Sequence, residues 1–281
     1  MKFNNLKTYC ITSENLSHLE NLNLKIIVGG AYNKKEKFPK NWLQDDLNNN
    51  ISAKNKNFGS LTSIYWIWKN ELKKYNDNTW IGISHYRRFW LKEKHDEIIS
   101  LQNLNENLLD SILDQNLNFE SFVASSLNLT GYKPMKLLKK ASKNILREPS
   151  ILINKNKHNI KLHFDMFHLY QGLEKATEVM NQKFRYDFLN YINTQTELFS
   201  PFSIFILKKN KFNELCEATF DWIRNCENIF NVNELRGHGQ TRLFDYLAER
   251  FFSFWIKNNT NYKVCPFVFF DPKTNGSSII Q

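Results

Sequence analysis

Two arginines and a histidine directly follow a short apolar segment of this sequence. Residues 79–84 (TWIGIS) have the composition of a buried strand, and residues 85–88 (HYRR) come next. Ligands of open α/β sheets bind at the carboxyl ends of the strands, and the planar guanidinium of arginine suits the oxygens of a diphosphate. The spacing therefore indicates an anion site. The alternative interpretation is that one arginine is solvated and the other pairs with a structural carboxylate, without any ligand.

A polar loop before an aromatic segment is the second concentrated signal. Short polar side chains occur at Asn50, Ser52, Asn55 and Thr62, and five of the seven tryptophans lie within residues 42–90. Such a loop can line a ligand, but it can equally cap a helix, and an aromatic stripe is more often core than a ligand platform. Both interpretations stay open from the residues alone.

Alternating strand and helix patterns position these groups. Strand patterns occupy 6–12, 24–28, 79–84, 121–124, 203–207 and 264–270, and helical periodicity marks 61–72, 97–114, 167–179, 211–229 and 240–257. Strands that alternate with helices predict an α/β fold with a mainly parallel sheet flanked by helices. The sequence shows no repeats and no linker, so one domain over 1–281 is the simplest prediction.

Positive charge is concentrated in one segment. The formal net charge of the chain is +10, and residues 133–161 hold nine basic residues against the single acid Glu148, a net of +8. Five of the nine have the spacing of one helical stripe: Lys136, Lys139, Lys140, Lys143 and Arg147. A solvated helix face, a patch for an anionic membrane surface and a nucleic-acid site are the three interpretations. No nucleic-acid fold motif accompanies the segment, so nucleic acid is not expected as a partner.

Composition and cysteine spacing exclude several classes of protein. No apolar run approaches the ~20 residues that span a bilayer, and the N-terminal sequence MKFNNLKTYC lacks the apolar stretch of a secretory signal. The sequence therefore predicts a cytoplasmic protein. Cys10, Cys216, Cys226 and Cys265 form no CxxC pair, which predicts buried thiols rather than a zinc, redox or disulfide site.

Three motifs lie close together in the first third of the chain. They are NIS-x-KN at 50–55, LT-x-x-YWIWKN at 61–70 and IG-x-x-HYRR at 81–88, and a weaker echo is Glu249-Arg250 in the late segment GQTRLFDYLAERFF. Together they resemble a family of bacterial glycosyltransferases of capsule and lipopolysaccharide synthesis, long catalogued as a domain of unknown function. The resemblance covers 24–90 and 199–257.

The resemblance implies a GT-A-like, Rossmann-type fold and a hexosyltransferase that uses a nucleotide-sugar donor. Some members of the family are linked to galactofuranose transfer. A UDP-linked donor would be bound by 1–130, and the acceptor, a capsule or lipopolysaccharide glycan on a lipid carrier, by 131–281. The family has a glutamate before the Leu-Thr pair where this chain has Ser60, which puts any role of that carboxylate in question here.

The resemblance also implies which residues form the site. The implied donor-binding residues are His85, Tyr86, Arg87, Arg88, Asn50, Ser52, Asn55, Thr62, Trp66 and Lys69, and Arg242 and Arg250 are expected to bind the acceptor or support the site.

Two sets of residues could stabilise the negative charge of the leaving diphosphate. GT-A enzymes commonly hold a divalent metal with an Asp-x-Asp motif, and no two aspartates in this sequence are two positions apart. Either Arg87 and Arg88 replace the metal, or Mn²⁺ or Mg²⁺ is held by another set, such as His85, His163 and Asp165. We favour the arginines, because cations aimed at a developing charge provide the same stabilisation.

Asp165, Asp245 and Glu249 are the candidates for a catalytic base that activates an acceptor hydroxyl. Asp165 lies between two histidines in the apolar sequence LHFDMFHLY, which favours a raised pKa, or else it caps the following helix. Asp245 and Glu249 lie one helical turn apart. They can instead pair with Arg242 or Arg250 in a structural network.

Two other classes of function are consistent with the sequence. One is a non-catalytic nucleotide-binding or glycan-binding subunit of a polysaccharide assembly complex. The other is a nucleic-acid-binding protein that uses residues 133–161.

For the enzyme, a basic segment that faces an anionic leaflet predicts a peripheral location on the inner face of the plasma membrane.

Overall fold

The computed structural model describes residues 5–95, 98–271 and 276–278, the last three by their backbone alone. Its strands are β1 (Leu6–Thr12), β2 (Lys25–Val28), β3 (Leu43–Gln44), β4 (Trp80–His85), β5 (Arg88–Trp90), β6 (Ser121–Val123), β7 (Leu127–Asn128), β8 (Glu197–Leu198), β9 (Phe205–Lys208), β10 (Tyr262–Val264), β11 (Phe267–Asp271) and β12 (Gly276–Ser278). Its α-helices are α1 (Asn55–Phe58), α2 (Leu61–Trp66), α3 (Leu101–Asn107), α4 (Pro134–Lys140), α5 (Ser142–Arg147), α6 (Ile160–Phe167), α7 (Gly172–Glu178), α8 (Gln182–Thr194), α9 (Lys209–Glu227), α10 (His238–Thr241) and α11 (Leu243–Asn259).

The central sheet has the strand order β10-β6-β9-β4-β1-β2-β3. Strands β4, β1, β2 and β3 are parallel neighbours, and β10 is parallel to β6. Strand β9 lies between β6 and β4 and runs antiparallel to both. At the end of β4, the antiparallel strands β5, β11 and β12 continue the sheet. The predicted α/β fold with a mainly parallel, helix-flanked sheet is confirmed, and the one reversed central strand is the departure from it.

Both faces of the sheet are buried. In β1, Tyr9 and Ile11 belong to the large core formed with α2, α9 and α11, while Cys10 packs in a second core on the opposite face. Alternate residues of a strand point to opposite faces, so a strand covered on both sides is apolar along its whole length. This explains why the apolar runs at 6–12 and 79–84 predicted strands correctly. All four cysteines are buried free thiols, as expected.

Several predicted helices have different bounds in the structure. Of the helix expected over 97–114, only α3 forms, and residue 97 lies outside the described residues. Helix α3 ends at Asn107 because the next residue, Leu108, forms a β-bridge with Leu91. The helix predicted over 167–179 begins at Gly172, and α6 and α8 lie on either side of it. The last strand prediction is split into β10 and β11 at Cys265-Pro266. Of the helices described, none has the length and apolar character needed to cross a lipid bilayer.

The basic segment forms two short helices instead of one. Helix α4 ends at Lys140, the capping residue Ala141 has φ −119° and ψ 22°, and α5 starts at Ser142. Leu137 and Ala141 are buried in a small core with Leu162 and Met166 of α6. Ile145 of α5 packs against the same core, whereas Leu138 and Leu146 stay exposed, so α4 and α5 each present only one side to α6.

A fully buried carboxylate fixes the turn after β2. Asp45 accepts hydrogen bonds from the backbone N–H of Gly30 at 2.9 Å and of Ala31 at 3.0 Å, and from Ser52 Oγ at 2.5 Å. Gly30 has φ +71°, and a Cβ there would lie within 2.7 Å of the Asn55 side chain. The Gly29-Gly30 turn and the loop 50–55 are therefore one structural unit, held together by Asp45.

Candidate functional site

A cavity of about 460 Å³ lies at the carboxyl edge of the parallel strands. Strand β1 ends there, the turn after β2 contributes Gly29, and β4 delivers His85. Because β9 is antiparallel, its beginning lies at the same edge. The lining residues from both halves of the chain include Thr12, Ser13, Lys34, Asn55, Lys56, Ser60, His85, Tyr86, Arg88, Phe202, Ser203, Arg242, Asp245, Tyr246 and Glu249.

Helix α11 and the residues before it supply two carboxylates and one cation to this cavity. Arg242, Asp245 and Glu249 are three and four positions apart, so they share one face of the helix. Arg242 Nη2 lies 2.6 Å from Asp245 Oδ2. Asp245 Oδ1 accepts a hydrogen bond from Ser60 Oγ at 2.7 Å and from Ser60 N–H at 3.1 Å. The structural pairing of Asp245 with Arg242 considered from the spacing is thus present.

Burial raises the pKa of Asp245, while Arg242 and Ser60 oppose the shift. The carboxylate lies directly against Gly59, whose φ is +49°. A Cβ at Gly59 would come within 2.3 Å of Asp245 Oδ2 and 2.4 Å of Arg242 Nη2. Only glycine fits both the backbone angle and the contact, so Gly59 allows the loop before α2 to reach α11.

Glu249 is held by one contact at each carboxylate oxygen. Its Oε1 accepts from the backbone N–H of Phe202 at 3.2 Å, and its Oε2 lies 3.2 Å from Arg250 Nη1. Phe202 and Ser203 have φ values of +73° and +54°, which non-glycine residues rarely adopt. Strained backbone of this kind persists where the surroundings fix it, and here it aims an N–H at a carboxylate of the cavity.

Arg250 is buried beneath Glu249, and two histidines accept its hydrogen bonds. Its Nη2 lies 3.0 Å from His163 Nδ1 and 3.2 Å from His168 Nε2. His168 Nδ1 lies 3.0 Å from the carbonyl oxygen of Gly239, so Nδ1 carries the proton and Nε2 is the acceptor. Burial, with the charge of Arg250, lowers the pKa of His163 to about 3 and that of His168 to about 2. Both rings are neutral at ordinary pH.

His85, Arg88 and Arg242 each carry a buried nitrogen in the cavity that lacks a hydrogen-bond partner among the described residues. The buried atoms His85 Nε2 and Arg88 Nε make no hydrogen bond to any residue that the structure describes. Burial, followed by the charges of Arg88 and Arg242, lowers the pKa of His85 to about 3. The Arg88 guanidinium lies 4.3 Å from the centre of the Phe202 ring, and burial lowers its pKa. Buried polar groups normally have partners, so these nitrogens of the cavity are open to a hydrogen bond with a ligand.

Some predicted donor-binding residues instead stabilise the walls of the site. Ser52 Oγ donates a hydrogen bond to Asp45, and Asn50 Nδ2 donates one to the carbonyl oxygen of Asp46. Thr62 Oγ1 accepts a hydrogen bond from Asn55 Nδ2, and Trp66 Nε1 donates one to the carbonyl oxygen of Leu47. Lys69 Nζ lies 3.1 Å from the centre of the Trp68 ring. Asn55 reaches the cavity, but its amide also bonds to Gly59 O. Arg87 does not line the cavity, and its guanidinium lies over the Tyr86 ring at 5.2 Å.

Asp165 lies away from this cavity, in a separate pocket of about 260 Å³. Its oxygens accept from Asn144 Nδ2 at 2.6 Å and from Gln171 N–H at 2.8 Å, and burial raises its pKa. The structure does not bring it together with His85 and His163. Among the described residues, no group of three or more His, Cys, Asp and Glu side chains is placed to hold a metal ion.

Several contributors to the site were not predicted from the sequence, among them Gly59, Ser60, Lys34 and Phe202. Gly59 and Ser60 directly precede the LT-x-x-YWIWKN motif at 61–70, and a glycine just before a predicted helix indicates a backbone position with a special conformation. No sequence pattern marked Lys34 or Phe202 as a site residue, because each lies in a loop whose course to the cavity is set by the tertiary structure.

The fold is GT-A-like, and a solved glycosyltransferase has a similar structure. The apo structure of the WbbM bifunctional glycosyltransferase matches with a TM-score of 0.67 at 19% sequence identity. The match covers 95% of this chain and 46% of the WbbM chain, so this chain spans about half the length of that protein.

The sequence matches the family described as domain of unknown function DUF4422 over residues 9–260, and the chain therefore belongs to that family. This agrees with the resemblance to a family of unknown function that the three motifs indicated. A comparison with curated proteins gave no match.

The three neutral histidines predict a loss of stability in mild acid. The unfolded chain protonates them near a pKa of about 6.5, whereas the folded protein keeps them neutral down to about pH 3. Below pH 6.5 the unfolded state therefore binds more protons, and the free energy of unfolding falls by up to about 1.4 kcal/mol per pH unit for each histidine. Urea unfolding at about pH 7 and about pH 5 measures this fall.

The comparison variant is His168→Gln, whose side-chain oxygen can still accept from Arg250. It removes one of the three protonation sites, so its free energy of unfolding should change less with pH than that of the wild type. Equal pH dependence in both proteins would contradict the assignment of His168 as a neutral buried acceptor.

Proposed function

We propose that this protein is a glycosyltransferase that moves a sugar from a nucleotide diphosphate donor to a hydroxyl group of a glycan acceptor. The observation that carries the proposal is the composition of the cavity at the carboxyl edge of the sheet. It combines cationic and polar side chains that have unpaired nitrogens among the described residues with the two carboxylates Asp245 and Glu249. The similarity of the fold to that of a glycosyltransferase supports the same class of reaction.

Arg88 and Arg242 would bind the diphosphate. Arg88 has no acidic partner within 4.0 Å among the described residues, so its charge is available to a ligand. Arg242 shares its charge with Asp245, and Lys34 and Lys56 add two further cations to the cavity. When the bond to the anomeric carbon breaks, negative charge grows on the diphosphate, and cations already in place stabilise that charge.

Glu249 would act as the general base. Each of its oxygens accepts a single contact of 3.2 Å and keeps a further acceptor position for a hydroxyl. It would take the proton of the acceptor hydroxyl as that oxygen attacks the anomeric carbon and the diphosphate leaves. Asp245 has three donors of its own and would position Arg242 and Ser60 instead.

The family resemblance supports a finer version of this proposal. It favours a UDP-linked hexose, with galactofuranose as the first sugar to test, and a capsule or lipopolysaccharide glycan as the acceptor. The cavity of about 460 Å³ is of the size that small-molecule sites have.

Loss of the Arg88 guanidinium should abolish most of the activity. We expect Arg88→Ala to lower turnover about a hundredfold to a thousandfold, because a charge that stabilises the leaving group is removed. Release of UDP from a panel of UDP-hexoses that includes UDP-galactofuranose, with a glycan acceptor present, is the measurement. Arg87→Ala is the matched control, since the adjacent arginine lies outside the cavity lining and should keep most of the turnover. Near-wild-type turnover of a folded Arg88→Ala protein would refute the diphosphate assignment.

The two carboxylates of α11 should differ in their kinetic effects. Glu249→Gln keeps the size and one acceptor oxygen but removes the base, so kcat should fall about 10²-fold to 10⁴-fold with little change in UDP affinity. Asp245→Asn weakens the hold on Arg242 and should mainly weaken UDP binding. Steady-state kinetics and UDP titration separate the two effects. A Glu249→Gln enzyme with full kcat would remove Glu249 from the mechanism.

Turnover should survive chelation of divalent metal ions. The arginines would neutralise the diphosphate themselves, and the described residues offer no cluster of metal ligands. UDP release is measured with and without excess EDTA, and again after Mn²⁺ or Mg²⁺ is added back. Complete loss with full rescue would show that a metal ion, not the arginine pair, carries the charge.

A further inference from the structure

Large apolar side chains are exposed among the cations of residues 133–155. Met135 is 75% exposed, Leu146 86% and Ile153 88%, with Leu138 at 47%. We call this surface the basic face, and its cations are Lys133, Lys136, Lys139, Lys140, Lys143, Arg147 and Lys155. A solvated helix face would carry the charges without these apolar side chains.

The exposed residues of the basic face point away from one common core. Leu137 of α4, Ala141 between the helices, and Ile151 after α5 all pack against Leu162 and Met166 of α6. In α4, Met135 and Lys139 lie on the side of the helix opposite Leu137. Because the buried residues of these consecutive segments share one partner, the exposed ones lie on the outer side of the layer that covers α6.

The positive charge of the basic face is not neutralised by the protein. Lys157 pairs with Glu148 at 2.8 Å, and Lys161 pairs with Glu174 at 2.7 Å. None of the seven cations of the basic face forms an ion pair with an acidic side chain in the described part of the chain. Seven cations without an acidic partner among the described residues therefore share this segment with the exposed Met, Leu and Ile side chains. Three of them lie over aromatic rings, Lys136 over Tyr132 and Phe167, and Lys143 and Arg147 over Tyr170.

We infer that the basic face docks on the surface of an anionic lipid bilayer. Anionic headgroups attract each lysine near the surface, which strengthens binding roughly fivefold per residue. The aliphatic side chains between the lysines enter the boundary between headgroups and acyl chains. A nucleic acid would satisfy the charges through its phosphates but would leave Met135, Leu146 and Ile153 in water. The combination of charge and apolar exposure therefore favours the bilayer.

The basic face is connected to the proposed active site through α6. That helix packs under α4 and α5, and its His163 accepts a hydrogen bond from Arg250, the neighbour of Glu249. On the proposed function, docking would hold the cavity close to a membrane in which a lipid-linked acceptor lies. The docking itself does not depend on that function.

The test is co-sedimentation of the protein with phosphatidylcholine vesicles, with and without phosphatidylglycerol, at low and high salt. Changing Lys136, Lys139, Lys140 and Lys143 to Gln should weaken binding to the anionic vesicles at least about a hundredfold. The control changes Lys35, Lys37, Lys40 and Lys73, which are exposed elsewhere, to Gln and should bind as the wild type does. High salt should weaken wild-type binding, since the Debye length is about 8 Å at physiological ionic strength.

A second pair of variants tests the apolar part of the surface. Met135, Leu146 and Ile153 changed to Ser should weaken vesicle binding about tenfold or more, because each buries several methylene groups in the interface. Leu47, Ile98 and Tyr186, which are exposed elsewhere, provide the matched triple Ser control.

Three outcomes would overturn the inference: no binding of the wild type to anionic vesicles, equal binding of the lysine variant and its control, or an apolar variant that binds like wild type. In the last case, binding of the wild type to a duplex oligonucleotide would assign the surface to nucleic acid. UDP binding, measured by thermal shift without vesicles, should be unchanged in every surface variant. Absence of UDP binding in the wild type would contradict the proposed function and leave the vesicle result standing.

Discussion

The buried carboxylate of Asp245 holds the two sides of the cavity together. It bonds to Ser60 and Arg242 and lies against Gly59, so residues 185 positions apart meet at one side chain. A buried carboxylate is costly unless donors surround it, and here the donors come from a loop of the first half and the start of α11. Any geometry that separates these segments leaves a charge without partners. The relative position of the α2 start and α11 is therefore fixed by electrostatics as well as by the apolar core.

Two arginines at the site, Arg250 beside Glu249 and Arg88 in the cavity lining, have different surroundings. Arg250 is 2% exposed and has Glu249, His163 and His168 as partners. Arg88 lies on an aromatic ring with no acidic partner among the described residues. The first arrangement holds a carboxylate in a fixed position, and the second keeps a cation ready for an anion.

The sequence predicted the sheet better than it predicted the site. Runs such as 6–12 and 79–84 are mostly apolar on both faces and rich in strand-forming residues, which is typical of a strand buried on both sides. The HYRR motif also lies where its strand places it, with three of its four residues at the cavity. The polar loop was harder, since Ser52 and Thr62 have the residue types of ligand-binding groups but bond to Asp45 and Asn55. Hydrogen-bonding capacity is visible in a sequence, whereas the partner that uses it is decided by the tertiary structure.

The reversed strand β9 has a consequence for synthesis of the chain. Strand β4 ends at His85 and its neighbour β9 begins at Phe205, so roughly 120 residues leave the ribosome before that edge of β4 is paired. Until then β4 offers an open row of backbone donors and acceptors flanked by apolar side chains, which is the kind of edge that aggregates. The first half of the nascent chain therefore keeps this edge unpaired until β9 and α9 emerge and close the sheet.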